Sequence, residues 1–206
     1  MTRRTPVPAH AIRPVARWVA ALAAGVALAA ASTCAQAAWD MQQLMQSLAQ
    51  AKSGRATFVE TKRIAMLDKP VESSGELLFV APDRLEKRTL KPKPESMVVD
   101  GDELSIERGN RNYHLRLQSY PELAAFIDSI RGTLAGNLKT LERDFRMNLS
   151  GTAGAWTLQL FPFDEKMKAV VRRVVIAGAQ GQVNTIEIDQ ADGDSSVMVI
   201  EKSPAR

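Results

Sequence analysis

From Gly54 almost to the C terminus, apolar and polar side chains alternate with a period of two, and turn signals break the alternation every roughly 8 to 12 residues. A chain patterned this way can bury its apolar side chains only as short strands, because successive residues of a strand face opposite ways. GRATFVETKRI puts Phe58 and Glu60 on one face and Val59 on the other. SSGELLFV around Gly75, DRLEKRTL after Pro82 and ESMVVD follow. Asp100-Gly101 is a strong hairpin signal leading into ELSIER, and Arg108-Gly109-Asn110 turns the chain into NYHLRLQ. Later segments are DFRMNLS, AWTLQLFP, KAVVRRVVIAG, QVNTIEID and SVMVIEK, with turns at Gly151–Gly154, Gly178–Gly181 and Ala191–Asp194. The pattern predicts about eleven antiparallel strands in a mainly β fold.

Two stretches carry a helical period instead. Between Trp39 and Lys52, Met41, Leu44, Met45 and Leu48 form one apolar stripe, with Asp40 placed as N-cap and Gly54 as the glycine past the end. PELAAFIDSIRGTLAG, inserted between strands, carries Leu123, Phe126, Ile127 and Ile130 on one stripe and Pro121 in its first turn. Asn137 to Glu142 reads as a further short helix. In Ala155–Phe161, Trp156, Leu158 and Leu160 share a face opposite Thr157 and Gln159, so this sheet has one apolar side that needs a cover. The candidates are the two amphipathic helices. From pattern alone a filled core is favoured over a cavity between helices and sheet, because interiors are normally close-packed.

The first 37 residues read as a cleavable export signal. Arg3, Arg4, Arg13 and Arg17 precede an apolar stretch from Trp18 to Ala31, and Ala35 and Ala37 suit cleavage before Ala38. The stretch is short for a membrane span, which needs about 20 apolar residues. Thr33 before Cys34 argues against lipidation there, and Thr5-Pro6-Val7 after Arg3-Arg4 argues against twin-arginine export. The chain has 27 Lys+Arg and 23 Asp+Glu, so losing four bases and no acid leaves 23 of each. That balance does not ask for nucleic acid or an anionic membrane. Cys34 is the only cysteine, so the expected single domain, residues 38–206, must be held by its core rather than by disulfides.

Catalytic constellations are absent from the sequence. His114 is the one histidine after the leader, and no cysteine accompanies it to build a metal site. There is no Gly-x-Ser-x-Gly elbow, phosphate-binding glycine loop or dinucleotide fingerprint. A Ser–His–acid triad around His114 has no local motif behind it. The expectation is a non-enzyme without cofactor or metal. Asp102-Glu103 and Asp164-Glu165 read as solvated loop charges, and Lys87, Arg88, Lys91 and Lys93 as a solvated strand edge.

The order of elements resembles the LolA/LolB-like lipoprotein carriers. The residues that carry the resemblance are Phe58-Val59-Glu60-Thr61-Lys62, the run GELLFVAPDRLEK with Gly75-Glu76-Leu77 leading to Pro82, and PESMVVDGDEL with Glu95-Ser96 and Val99-Asp100-Gly101. The resemblance covers most of residues 39–201. It implies an unclosed antiparallel β-barrel with a helical lid, whose apolar interior takes acyl chains of lipoproteins crossing the periplasm of a Gram-negative bacterium. It reverses the preference for a filled core. The cavity residues it implies are Phe58, Leu77, Phe79, Leu85, Met97, Trp156, Leu158, Leu160 and Met198, with Leu123, Phe126, Ile127 and Ile130 from the lid. It also implies a monomer whose cargo is lipoprotein acyl chains or another lipid, with an inner-membrane donor complex and an outer-membrane acceptor as partners.

Three departures stand out. In the carrier that receives lipoproteins at the inner membrane, an arginine directly before the strand proline helps hold the lid, and here that position is Ala81. The aromatic residue expected three positions after the proline is Leu85, and the chain stops soon after Glu201-Lys202. These departures point to a divergent branch with a different lipid or acylated cargo. The alternative is a non-catalytic sensor or accessory module of the same fold, its interior plain core and its open sheet edge a site for strand addition.

Overall fold

The computed structural model describes residues 39–202; the predicted leader, with Cys34, lies outside them. Helix α1, Met41–Leu48, starts at a capping box: Gln43 N–H donates to Asp40 Oδ1 at 2.8 Å and Asp40 N–H to Gln43 Oε1 at 3.2 Å. Leu44, Met45 and Leu48 are its buried stripe. The helix is shorter than its apolar period suggested. Gly54 is no cap; it lies inside the first strand.

The strands are β1 (Ser53–Arg63), β2 (Val71–Val80), β3 (Arg84–Lys91), β4 (Glu95–Asp100), β5 (Glu103–Arg108) and β6 (Arg111–Arg116), then β7 (Phe145–Thr152), β8 (Ala155–Pro162), β9 (Val171–Ala179), β10 (Gln182–Gln190) and β11 (Ser195–Lys202). All neighbours run antiparallel in one sheet of order β6-β5-β4-β3-β2-β1-β11-β10-β9-β8-β7. Two meanders are thus joined by the one non-sequential pair, β1 with β11. β6 and β7 are left as free edges, so the sheet is an unclosed barrel. Gly101, with φ 56°, turns β4 into β5 as the Asp-Gly signal predicts. Gly75, opposite Phe58, is required by a close approach: a Cβ there would stand 1.9 Å from the Arg88 carbonyl oxygen.

Between the free edges the chain runs through a 3₁₀ turn (Leu117–Ser119), α2 (Pro121–Leu134) and α3 (Leu138–Asp144). Helix α2 ends in a Schellman arrangement, with Asn137 N–H on Gly132 O at 2.7 Å and Gly136 N–H on Thr133 O at 3.0 Å. Gly136 has φ 65°, and a Cβ there would meet Met45 O at 2.1 Å. This is where α2 leans against α1. A short helix that the sequence pattern does not reveal, α4 (Glu165–Lys168), joins β8 to β9. Asp164, read above as a solvated loop charge, caps it by accepting from the N–H groups of Lys166 and Met167, and Met167 is buried.

Candidate functional site

Cross-strand register places all the predicted cavity residues on one face of the sheet, here called inner. Leu77 faces Ala56 and Lys87, Lys87 faces Met97, and Phe79 faces Leu85. Phe58 faces Ile200, while Met198 lies opposite Glu60 and Ile186. The ladder then continues through Ile176 to Leu158. The residues on this face fall into two environments. Trp156, Leu158 and Leu160 are at most 1% exposed, packed with Leu44, Met45 and Leu48 of α1, Leu141 of α3 and Val174 and Ile176 of β9. The Trp156 indole N–H donates to Gln180 O at 2.9 Å. This half of the face is filled core. Leu85 and Met97 instead sit beside a smaller cluster of Val99, Leu104, Leu117 and Ile127. Leu77, Leu85, Met97 and Met198 are half-buried.

Helix α2 lies over both environments. Ile127 and Leu123 pack on the smaller cluster, Ile130 on the larger, and Phe126 on both. Its tie to the sheet is Arg131, which sequence reasoning missed. One guanidinium nitrogen donates to Gly101 O at 2.5 Å and to Asp83 O at 3.4 Å, and the other to Asp128 Oδ1 at 2.5 Å. Asp128 in turn accepts from Arg143 of α3 at 3.1 Å. The Arg143 guanidinium is pushed further up from its usual value, chiefly by its hydrogen bonds with Asp144, so it stays charged throughout the physiological range. The arginine expected before Pro82 is Ala81, but the contact is made from the opposite side, by the lid reaching to the strand turns. A lone Arg after an apolar stripe gave no warning of this.

A second group was misread. β3 is an internal strand, not an edge, and Lys87 points inward. Its ammonium lies 2.5 Å from Glu60 Oε2 and 5.0 Å from the Phe58 ring centroid, while Ser73 Oγ donates to the same carboxylate at 3.3 Å. The register also puts Lys62 and the Glu95–Arg108 ion pair on this face, so Glu60 and Lys87 are one charged pair among its apolar residues. A cleft of about 280 Å³ opens on the other face of the sheet, between Thr57, Val59, Ser74, Leu90 and Val199.

His114 is exposed on edge strand β6, its Nδ1 3.0 Å from Ser105 Oγ directly across the ladder. This is a neighbour pair set by register. No group of three or more His, Cys, Asp or Glu among the described residues could hold a metal ion.

Residues 29–203 match the family described as outer membrane lipoprotein carrier protein LolA-like. The chain belongs to that family. It is similar in fold to a LolA superfamily protein from Nitrosomonas europaea (10% identity, 82% of this chain and 96% of that one, TM-score 0.43). It is also similar to the Mycobacterium tuberculosis lipoprotein LppX (12% identity, 81% and 96%, TM-score 0.44). A third likeness is to a putative outer membrane lipoprotein-sorting protein domain from Vibrio parahaemolyticus (11% identity, 78% and 88%, TM-score 0.41). No curated protein matches the sequence. Within this LolA-like fold, then, the inner face divides into a sealed half under α1 and α3 and a half on β1–β5 that mixes buried Phe58, Phe79, Val99 and Leu104 with half-buried Leu77, Leu85 and Met97.

Proposed function

We propose that the protein is a periplasmic carrier without catalytic activity, sheltering the acyl chains of a lipoprotein or another lipid beneath α2 for transfer towards the outer membrane. The observation that supports this reading is the position of α2: one helix packs across both apolar clusters, and its polar tie to the sheet is a single arginine. Such a helix can lift without dismantling the core under α1. Acyl chains gain about 0.8 kcal/mol for each CH₂ taken from water, so a half-buried apolar row that a helix can cover is enough to hold them. The row proposed to receive them is Leu77, Leu85, Met97 and Met198, with Leu123, Phe126 and Ile127 above. Trp156, Leu158 and Leu160 belong to the sealed core beside this row. A donor at the inner membrane and an acceptor at the outer membrane complete the cycle.

Native mass spectrometry of protein recovered from the periplasm tests this. Bound lipid is expected, and lost from Ala124→Trp, on the side of α2 that packs against the smaller cluster. Repeated recovery without lipid, together with failure to take up added lipid, would sink the reading. A second reading, an accessory module that binds a protein along its free edge β6, draws on the packing of the larger cluster and the exposure of every β6 residue but Leu115. In that case Ala124→Trp would lower stability with no effect on any ligand.

A further inference from the structure

At the end of the sheet where β7 begins, β8 ends and β9 begins, Arg146, Phe161, Pro162, Phe163, Lys168 and Arg172 line an open cleft of about 460 Å³. Three of the six are cations and none is an acid. The Arg146 guanidinium carbon lies 5.1 Å from the Phe161 ring centroid, which holds it against the sheet with its edge free. Arg172 donates to Ala191 O at 2.8 Å, a backbone partner that fixes the group without cancelling its charge. Lys168 pairs with Glu165 at 2.7 Å, but that carboxylate is 84% exposed and binds weakly in water. Helix α4 adds Lys166.

Apolar groups stand among these cations. Phe163 and Val170, on either side of α4, are each about half exposed. A single exposed apolar residue needs no explanation. Here two flank the basic cleft. Loop 64–70 brings Met66 and Leu67, also exposed, to the same end. That loop is joined to it by Ala65 N–H on Asp194 Oδ1 and by Ala191 N–H on Val170 O. A small anion would use the cations and leave Phe163 and Val170 unexplained. A surface that is negative outside and apolar just beneath uses both.

We infer that this end of the fold is a membrane-docking surface, with Arg146, Lys166, Lys168 and Arg172 drawn to anionic phospholipid headgroups and Phe163 and Val170 entering the headgroup layer. It goes beyond the carrier reading, and holds whether or not lipid binds the inner face.

Co-sedimentation with vesicles tests it, using the processed protein recovered after export. Pelleting is expected with phosphatidylcholine vesicles containing phosphatidylglycerol, not with phosphatidylcholine alone, and is expected to weaken in 0.5 M salt. Arg146→Gln and Arg172→Gln should each weaken binding about fivefold. Phe163→Ser should reduce it further, while Arg116→Gln, an exposed cation on β6, should leave it unchanged. Circular dichroism confirms that these surface variants fold. Absence of pelleting, equal pelleting with neutral vesicles, or indifference to the Arg146 and Arg172 changes would overturn the inference. So would capture of an acidic protein by a chain that ignores the vesicles. Bound lipid is read separately by mass spectrometry, so the docking surface and the carrier reading fail independently.

Discussion

The two halves of the sheet share one register and differ in what covers them. Strands β7–β10 present a mainly apolar inner face, closed by α1 and α3 so that Trp156, Leu158 and Leu160 have no accessible surface to speak of. Strands β1–β6 carry a smaller apolar cluster under α2 alone, and the row beside it includes the Glu60–Lys87 pair. One half stores stability and the other is left free to change. A fold that must open needs this asymmetry, because a uniformly packed core could yield only by unfolding.

The largest expected effect lies in the sealed half. Leu158→Ala removes a fully buried side chain with neighbours on all sides, and should cost about 3–5 kcal/mol by urea denaturation, without changing which lipid is bound per folded molecule. If it cost no more than Leu77→Ala on the half-buried side, the division into two halves would be broken.

Next in size is the tie of α2 to the sheet. Arg131→Met keeps the length of the side chain but withdraws donors from Gly101 O, Asp83 O and Asp128. A loss of about 1–3 kcal/mol is expected, the range for leaving buried partners unpaired. Hydrogen exchange should accelerate in α2 while β8 and β9 stay protected. Equal acceleration in both would show that α2 does not move alone.

The smallest effect belongs to Lys87→Met. Both members of the pair keep some access to water, so the stability change should stay within about 1 kcal/mol. Lipid occupancy is the more informative reading, since the change extends the apolar row through Leu77 and Met97. Increased retention of lipid would sharpen the contrast; decreased retention would mean that the ammonium itself holds the cargo.

What could be read from the sequence was local. Alternation in Trp156–Leu160, the Asp100-Gly101 turn and the Asp40 cap each depend on residues a few positions apart, and each is found where the pattern places it. What could not be read depends on strand order. Lys87 looked like part of a solvated edge because nothing near it in the chain says that β3 lies inside the sheet, and its partner Glu60 is 27 residues away. Arg131 gave no signal because its acceptors are backbone carbonyls, which every residue has. Gly54 was misplaced as a cap because a glycine at a strand start looks like one past a helix end; Gly136 does that work for α2. Of the candidate site, the face was legible and its division into sealed core and half-buried row was not, since burial depends on which helix arrives above.

The connection between the free edges has a mechanical side. β6 and β7 are joined only through the segment that carries α2 and α3, so this segment is a strap fastened to both rims of an open trough. At about 1.5 Å per residue its main helix is roughly 21 Å long. The strap cannot swing away like a door on one hinge. It can only bow outward or let the rims spread, and its length then limits how wide the trough gapes and so the girth of anything that passes beneath.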